Sequence, residues 1–138
     1  MRILSVDPGE KNLGIALSDP SGTIANPLTV IRHTSRLVDA ASIVQLAIQH
    51  EAGLILVGAA LDADDQPTPR SRSASRLAEA IQSQADLPVV LWDESGSTQA
   101  ARQARLAMGL KRKKSRDHFD DLAATYLLQT YLDAQDSL

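Results

Sequence analysis

Cysteine is absent from this sequence, and several kinds of chemistry are excluded with it. A chain without thiols cannot form disulfides, bind metal through thiolates or use a cysteine nucleophile. Aromatic residues make up only 3% of the chain, so leucine, isoleucine, valine and alanine must fill the core. No apolar run is long enough to span a bilayer, and Asp7 follows the start too soon for a secretory signal. We therefore expect a cytoplasmic protein without a membrane partner.

Other absences narrow the possible sites. There is no histidine-rich metal pattern, no Gly-Lys-Ser/Thr phosphate loop and no nucleophile elbow. His33 and His50 are interpreted as isolated surface residues near the ends of secondary-structure elements. The 138 residues suffice for one domain with a real core and are too few for two substantial ones. Because neither a repeat nor a linker is visible, we predict a single domain over residues 1–138.

Apolar runs and turn residues predict the order of the elements. Short apolar runs indicate five strands, at residues 2–7, 13–18, within 23–31, 54–57 and 88–92, the last two buried. Helical spacing and capping residues indicate four helices, at residues 35–50, 71–85, 97–108 and 117–132. Residues 59–70 are expected to form a loop. This order predicts an α/β fold whose five-stranded sheet is antiparallel in its first half and parallel in its second.

Residue types also predict details of the first helix and of the turn that follows the first strand. In the first helix, apolar residues recur at helical spacing and predict its buried face: Leu37, Ala41, Val44 and Ile48. Gly53 is expected to end that helix. In the turn after the first strand, Pro8 and Gly9 are turn residues, and Asn12 and Gly14 tolerate unusual backbone angles.

Carboxylates stand at the ends of two predicted strands and at the start of a helix. Asp7 ends the first strand, Asp93 and Glu94 end the last, and residues 117–121 hold three acids. Ligands of α/β sheets tend to bind beyond the carboxyl ends of the parallel strands. Hard cations such as Mg²⁺ prefer carboxylate oxygens. A two-metal nuclease needs a cluster of acids that holds one ion on either side of a phosphate.

Strand and helix geometry restrict which acids could share this site. Successive strand residues point to opposite faces, so Asp93 and Glu94 cannot both face Asp7. We favour Glu94, whose longer side chain can reach over the end of the sheet. Asp120 is favoured on the helix, although Asp117 and Asp121 share its face by their spacing. An N-cap is the usual role for an acid in the position of Asp117, and a solvent-facing role fits Asp121 equally well.

A basic segment precedes the last helix. It contains Lys111, Arg112, Lys113, Lys114 and Arg116, five cations in six residues, although the net charge of the chain is −3. Cations beside an acidic cluster are expected where a polyanion is held against metal ions. A solvated loop explains the run alone equally well.

Four segments together resemble the YqgF (RuvX) family. Residues 7–19 (DPGEKNLGIALSD) are similar to its first motif, and residues 56–58 (LVG) to its middle strand. Residues 92–101 (WDESGSTQAA) resemble its Asp-Glu-Arg-Leu-Ser/Thr-Thr motif, and residues 120–132 (DDLAATYLLQTYL) its last helix. The segments follow the family's order over nearly the whole chain, and together they are specific.

The resemblance implies a ribonuclease-H-like fold, flanked by helices, and a nuclease dependent on Mg²⁺ or Mn²⁺ that trims the 5′ end of pre-16S rRNA. It assigns the family's metal-binding and catalytic acids to Asp7, Glu94 and Asp120, the residues favoured on geometry. Two positions depart from the family. Ser95 replaces its arginine, which removes a phosphate clamp, and Gly58 is followed by Ala59-Ala60 instead of Leu/Met-Pro.

Alternative functions remain open at this point. A junction-resolving DNase would act on branched DNA and would need a homodimer to cut symmetric strands, whereas an RNA nuclease could be a monomer. The missing arginine also allows a catalytically inactive nucleic-acid-binding module. An actin-like ATPase is disfavoured because such enzymes clamp ATP between two domains, and this chain has room for one.

Overall fold

The computed structural model describes residues 1–59, 66–93 and 116–136, with side chains in the last segment described for 122–135. The strands are β1 (Arg2–Pro8), β2 (Asn12–Ser18), β3 (Ala25–Arg32), β4 (Ala52–Ala59) and β5 (Val89–Asp93). The helices are α1 (Arg36–Gln49), α2 (Pro69–Gln84) and α3 (Arg116–Asp136). The helix predicted over residues 97–108 lies outside these ranges. No described helix has the length and apolar character needed to span a membrane.

The five strands form one mixed sheet in the order β3-β2-β1-β4-β5. β1 pairs antiparallel with β2, and β2 antiparallel with β3. On the other side, β1 pairs parallel with β4, and β4 parallel with β5. The predicted division into an antiparallel and a parallel half is therefore confirmed.

The two faces of the sheet bury separate apolar clusters. Strand residues such as Val6, Ile15 and Val57 pack with residues of α1 and α2 on one face. Their neighbours Ile3, Ala16 and Leu56 face the other way and pack with α3. This division follows from the two-residue period of a strand. Helices consequently cover the sheet on both faces.

The predicted buried face of α1 is confirmed only at Val44. Leu37 and Ile48 are 66% and 69% exposed. The helix instead buries an adjacent stripe, which consists of Ala40, Ile43, Val44 and Ala47. Two of these are alanines, whose small side chains let the helix backbone approach the sheet closely. Spacing alone favoured burial of the larger apolar residues Leu37 and Ile48 over burial of these alanines. Ser35 does cap the helix as predicted, since its hydroxyl accepts a hydrogen bond from Val38 N at 3.3 Å.

α2 begins earlier than predicted because of its cap. Thr68 and Ser71 form a reciprocal capping box, in which Ser71 N donates to Thr68 Oγ1 at 3.0 Å. Pro69 occupies the first turn, where its missing N–H costs nothing. The predicted loop over 59–70 was therefore too long, because Ala59 ends β4 and Arg70 is helical. The predicted apolar face is confirmed, since Ala74, Leu77, Ala78 and Ile81 are all buried.

Two smaller expectations also fail, those for the end of α1 and for the burial of β5. Glu51, with a left-handed φ of 57°, separates α1 from β4, and Gly53 lies within the strand. Among the described residues only Gly22 also has a positive φ, so Asn12 and Gly14 adopt ordinary strand angles. β5 is an edge strand, and its Leu91 is 44% exposed because only β4 pairs with it.

Asp19 fixes the turn that joins β2 to β3. Its carboxylate accepts hydrogen bonds from Ile24 N at 2.9 Å, from the Ser21 hydroxyl and from Thr23 N at 2.7 Å. These donors, the Ile24 amide foremost, hold the pKa of Asp19 well below its ordinary value. The carboxylate thus replaces part of the backbone hydrogen bonding that the turn leaves unsatisfied.

Gly58 lets α3 approach the sheet. A Cβ at this position would lie 2.7 Å from Cδ2 of Leu127, which is fully buried. We expect Gly58→Ala to lower the free energy of unfolding by about 1–3 kcal/mol through overpacking, measured by urea denaturation. Gly53→Ala is the matched control, because the close contacts of its Cβ would be with the exposed, movable Met1 side chain. Equal losses in the two variants would contradict this explanation.

Candidate functional site

Asp7 lies at the carboxyl end of β1 on the face that α3 covers. Two residues earlier on the same face, the buried Ser5 donates its hydroxyl to the Ala124 carbonyl of α3 at 2.9 Å. Asp7 pairs across the sheet with Gly14 of β2. Its side chain is half-buried. The predicted position of Asp7, at a strand end beside a glycine-containing hairpin, is thus confirmed.

The turn after Asp7 is held from within and from α2. Gly9 N donates to the Asn12 carbonyl at 3.0 Å, and a Cβ on Gly9 would lie only 2.6 Å from that oxygen. Arg70 donates from Nη2 to the Pro8 carbonyl at 3.2 Å. A side chain at residue 9 would therefore force the turn open. These contacts fix the backbone immediately beyond the carboxylate.

At the end of β5, successive side chains point to opposite faces of the sheet, as strand geometry requires. Asp93 and Leu91 line a cleft of about 590 Å³ on the α2 side. Trp92 points toward α3, where its Nε1 donates to Thr130 Oγ1 at 3.1 Å. Its ring also meets Tyr131 edge-on, with centroids 5.2 Å apart. Asp93 therefore lies on the opposite face of the sheet from Asp7.

The other predicted site residues lie wholly or partly outside the described residues. Glu94 follows the last described residue of β5, and Lys111 to Lys114 precede α3. Asp120 and Arg116 belong to α3, so Arg116 is helical, but their side chains are not described. Among the described side chains, no three of His, Cys, Asp or Glu lie close enough together to hold a metal ion. Asp7 is the one predicted ligand whose side chain is described.

A histidine–aspartate pair escaped the sequence reasoning. His33 Nδ1 contacts Oδ2 of Asp39, and Thr34 N donates to Oδ1 of the same carboxylate at 3.0 Å. Asp39 is buried, with only 3% of its surface exposed. His33 itself is exposed, as predicted, but it is not isolated. The pair joins the end of β3 to the first turn of α1. An acid in that turn was the only hint in the sequence, and it indicates a capping role equally well.

Solved structures of resolvases share this architecture. The chain is similar to T. thermophilus RuvC in complex with a Holliday junction substrate, with a TM-score of 0.60 and 17% identity over 98% of this chain and 96% of that one. The fowlpox virus Holliday junction resolvase gives a TM-score of 0.59 and 16% identity, covering 97% and 99%. The sheet order, its flanking helices and these likenesses define a ribonuclease-H-like fold of the RuvC type.

The sequence relatives identify the family. The family model described as RuvX: Holliday junction resolvase matches residues 1–134, and the chain belongs to this family. A relative from Thermoanaerobacter pseudethanolicus is 36% identical over 98% of both chains. One from Myxococcus xanthus is 34% identical over 97% of this chain and 89% of its own. Both relatives carry the provisional name pre-16S rRNA nuclease.

Proposed function

We propose that this protein is a metal-dependent nuclease that hydrolyses phosphodiester bonds, with the 5′ end of pre-16S rRNA as its substrate. The observation that carries the proposal is the position of Asp7 at the carboxyl end of β1, on the face covered by α3. Family membership and the names of the relatives support the reaction class. Asp7, Glu94 and Asp120 are its proposed catalytic and metal-binding residues.

The direction of α3 supports Asp120 as a neighbour of Asp7. Ala124 contacts Ser5, whereas Gln129 accepts a hydrogen bond from Ala25 N at 3.0 Å. Ala25 pairs with Ser18, whose hydroxyl accepts from Ile3 N at 2.8 Å. α3 thus runs from the level of Ser5 toward the amino end of β1.

Followed in reverse, the helix leads to the carboxyl end of β1. Asp120 precedes Ala124 by one turn, an axial rise of about 6 Å. Asp7 follows Ser5 by two strand residues, about 7 Å. Measured from the contact between Ser5 and Ala124, both acids therefore lie a similar distance toward the carboxyl end of β1. This agreement supports a shared site for Asp7 and Asp120.

Carboxylates are suitable ligands for Mg²⁺ or Mn²⁺. Two such ions, held by Asp7, Glu94 and Asp120, would supply activation of an attacking water and stabilisation of the leaving oxygen of a phosphodiester. In this proposal the chain supplies the oxygens that fix the ions, and the turn at Gly9 keeps Asp7 in place. Ser95 stands where the family motif that this sequence resembles has an arginine, so the basic segment is proposed to provide phosphate contacts in its place.

A cleavage assay with two substrates tests the proposal. A fragment that spans the 5′ end of pre-16S rRNA and a four-way DNA junction are incubated with the protein in Mg²⁺, Mn²⁺ or EDTA. We expect RNA cleavage with either ion and none in EDTA. Junction cleavage without RNA cleavage would favour the resolvase alternative, which the family description supports. Binding of both substrates without cleavage would indicate an inactive binding module.

The basic segment gives a separate prediction. Replacing Lys111, Arg112, Lys113 and Lys114 with glutamine should weaken RNA binding without sequence preference. Each phosphate contact that is lost should flatten the slope of log K against log salt by about 0.7 to 0.9. Cleavage at saturating RNA should change less, because these cations position the strand. The test is to measure RNA affinity at several salt concentrations for the wild type and the variant. Identical slopes for the two proteins would indicate that the segment is a solvated loop.

A further inference from the structure

A cation-lined cleft lies at the β3 edge of the sheet, beside the turn that follows Asp7. Its volume is about 710 Å³, and its lining is mostly polar: Glu10, Lys11, Asn12, Val30, Arg32 and His33. Lys11 and Arg32 carry full positive charges, and His33 offers a further hydrogen-bonding nitrogen. Glu10 is the one acid among the six lining residues. The lining therefore favours an anionic ligand.

The sheet register connects this cleft to Asp7. Asp7 pairs with Gly14, and Gly14 pairs with Val30 of the cleft. Residues paired directly across a sheet share a face, so all three lie in one row on the α3 side. Two strand spacings separate Asp7 from Val30, a distance of about 10 Å. Gly14, between them, is buried.

The backbone that carries the cleft residues is fixed by hydrogen bonds. His33 N donates to the Lys11 carbonyl at 2.8 Å, and Asn12 pairs with Arg32 across β2 and β3. The His33 ring is held by the buried Asp39. These contacts place the bases of the three side chains before any ligand arrives. Preorganisation of this kind lowers the entropic cost of binding.

We propose that this cleft binds the phosphodiester backbone of the substrate strand a short distance from the bond that is cut, an inference that rests on the proposed function. Lys11 and Arg32 would neutralise phosphates, and His33 would donate a hydrogen bond to a phosphate oxygen. Because Gly14 is buried, the strand would run from Asp7 past the exposed turn at Gly9 to Lys11 and on to the β3 edge. This surface is separate in sequence from the basic segment at residues 111–116.

Adjacent residues of opposite charge provide a sharp test. Lys11→Gln, Arg32→Gln and Glu10→Gln are compared with Arg2→Gln, at the amino end of β1 and so the far end of the strand from Asp7. Kd is measured by fluorescence anisotropy in EDTA at several salt concentrations, with single-stranded RNA, single-stranded DNA and a four-way junction. Melting temperatures confirm that each variant is folded. A variant that fails to fold is replaced by Lys11→Met or Arg32→Met.

Lys11→Gln and Arg32→Gln should each weaken binding severalfold and flatten the salt slope by about 0.7 to 0.9. Glu10→Gln should tighten binding, because it removes the acid from the cleft, and Arg2→Gln should change neither quantity. Equal effects on RNA and DNA would show that the backbone is read, and loss with one nucleic acid alone would show a contact specific to that sugar. Unchanged slopes for both cation variants, or weaker binding by Glu10→Gln, would overturn the proposal.

The cleft and the proposed function can fail separately. If wild-type protein cuts its substrate but the cleft variants bind normally, the function stands and the cleft assignment is wrong. If the variants alter binding as expected but no substrate is cut under any metal condition, the cleft stands and the nuclease proposal is wrong.

Discussion

Asp7→Asn is expected to abolish cleavage of RNA or DNA while leaving the fold unchanged. The substitution preserves the size of the side chain and removes one negative charge from the proposed metal site. Metal ions contribute several kcal/mol of transition-state stabilisation in such reactions, so single-turnover cleavage should fall by about a thousandfold or more. Because Asp7 is only half-buried, melting temperatures in EDTA should remain close to that of the wild type.

Metal binding provides a second readout for Asp7. Asp7, Glu94 and Asp120 should repel one another without metal, so binding of Mn²⁺ should raise the melting temperature of the wild type by mass action. The increase should be smaller in Asp7→Asn. Asp86→Asn is the matched control, since this exposed acid lies before β5, at the opposite end of the sheet. Normal cleavage by Asp7→Asn, or no stabilisation of the wild type by millimolar Mn²⁺ at any pH, would contradict a shared metal site.

Glu94→Gln should be far more damaging than Asp93→Asn. Trp92 lies on the α3 face with Asp7, and Asp93 lines the cleft on the α2 side. A strand that continues regularly would return residue 94 to the α3 face. We expect single-turnover cleavage to fall by about a hundredfold or more in Glu94→Gln, as for loss of one transition-state contact. Asp93→Asn should remain within a few fold of the wild type.

The outcomes of this comparison are distinct. Equal losses would mean that the strand is irregular beyond Asp93 or that both acids bind metal. A loss confined to Asp93→Asn would show that the catalytic acid was assigned to the wrong face. Melting temperatures of both variants separate these cases from simple unfolding.

The sheet was predictable because its strands are compact apolar runs bounded by turn residues. Two short apolar runs joined by turn residues predict a hairpin, and two later apolar runs lie between helical segments. Together they leave few possible arrangements of the strands. Asp7 could be placed for the same reason, since it ends the first run. The alternation of side chains along a strand also correctly placed Asp93 on the face opposite Asp7.

The errors arose where packing at a distance decides the outcome. The buried stripe of α1 is built around Ala40 and Ala47, and only the facing sheet makes those small residues more suitable than Leu37 or Ile48. The contact between His33 and Asp39 likewise depends on how β3 meets α1. Neither has a local sequence signal that distinguishes it from the alternatives. The roles of Asp7, Glu94 and Asp120 remain predictions.

The position of α3 in the chain has a consequence for synthesis on the ribosome. All five strands precede this helix, and the hydrogen bond from Ser5 to Ala124 joins residues 119 positions apart. Until the last segment emerges, Ile3, Ala16 and Leu56 lack the helix that buries them, and an uncovered apolar sheet face is prone to aggregation. The same helix carries Asp120. A nascent or truncated chain is therefore expected to lack both the core cluster that α3 covers and its proposed catalytic site, so that nuclease activity appears only once α3 has been made.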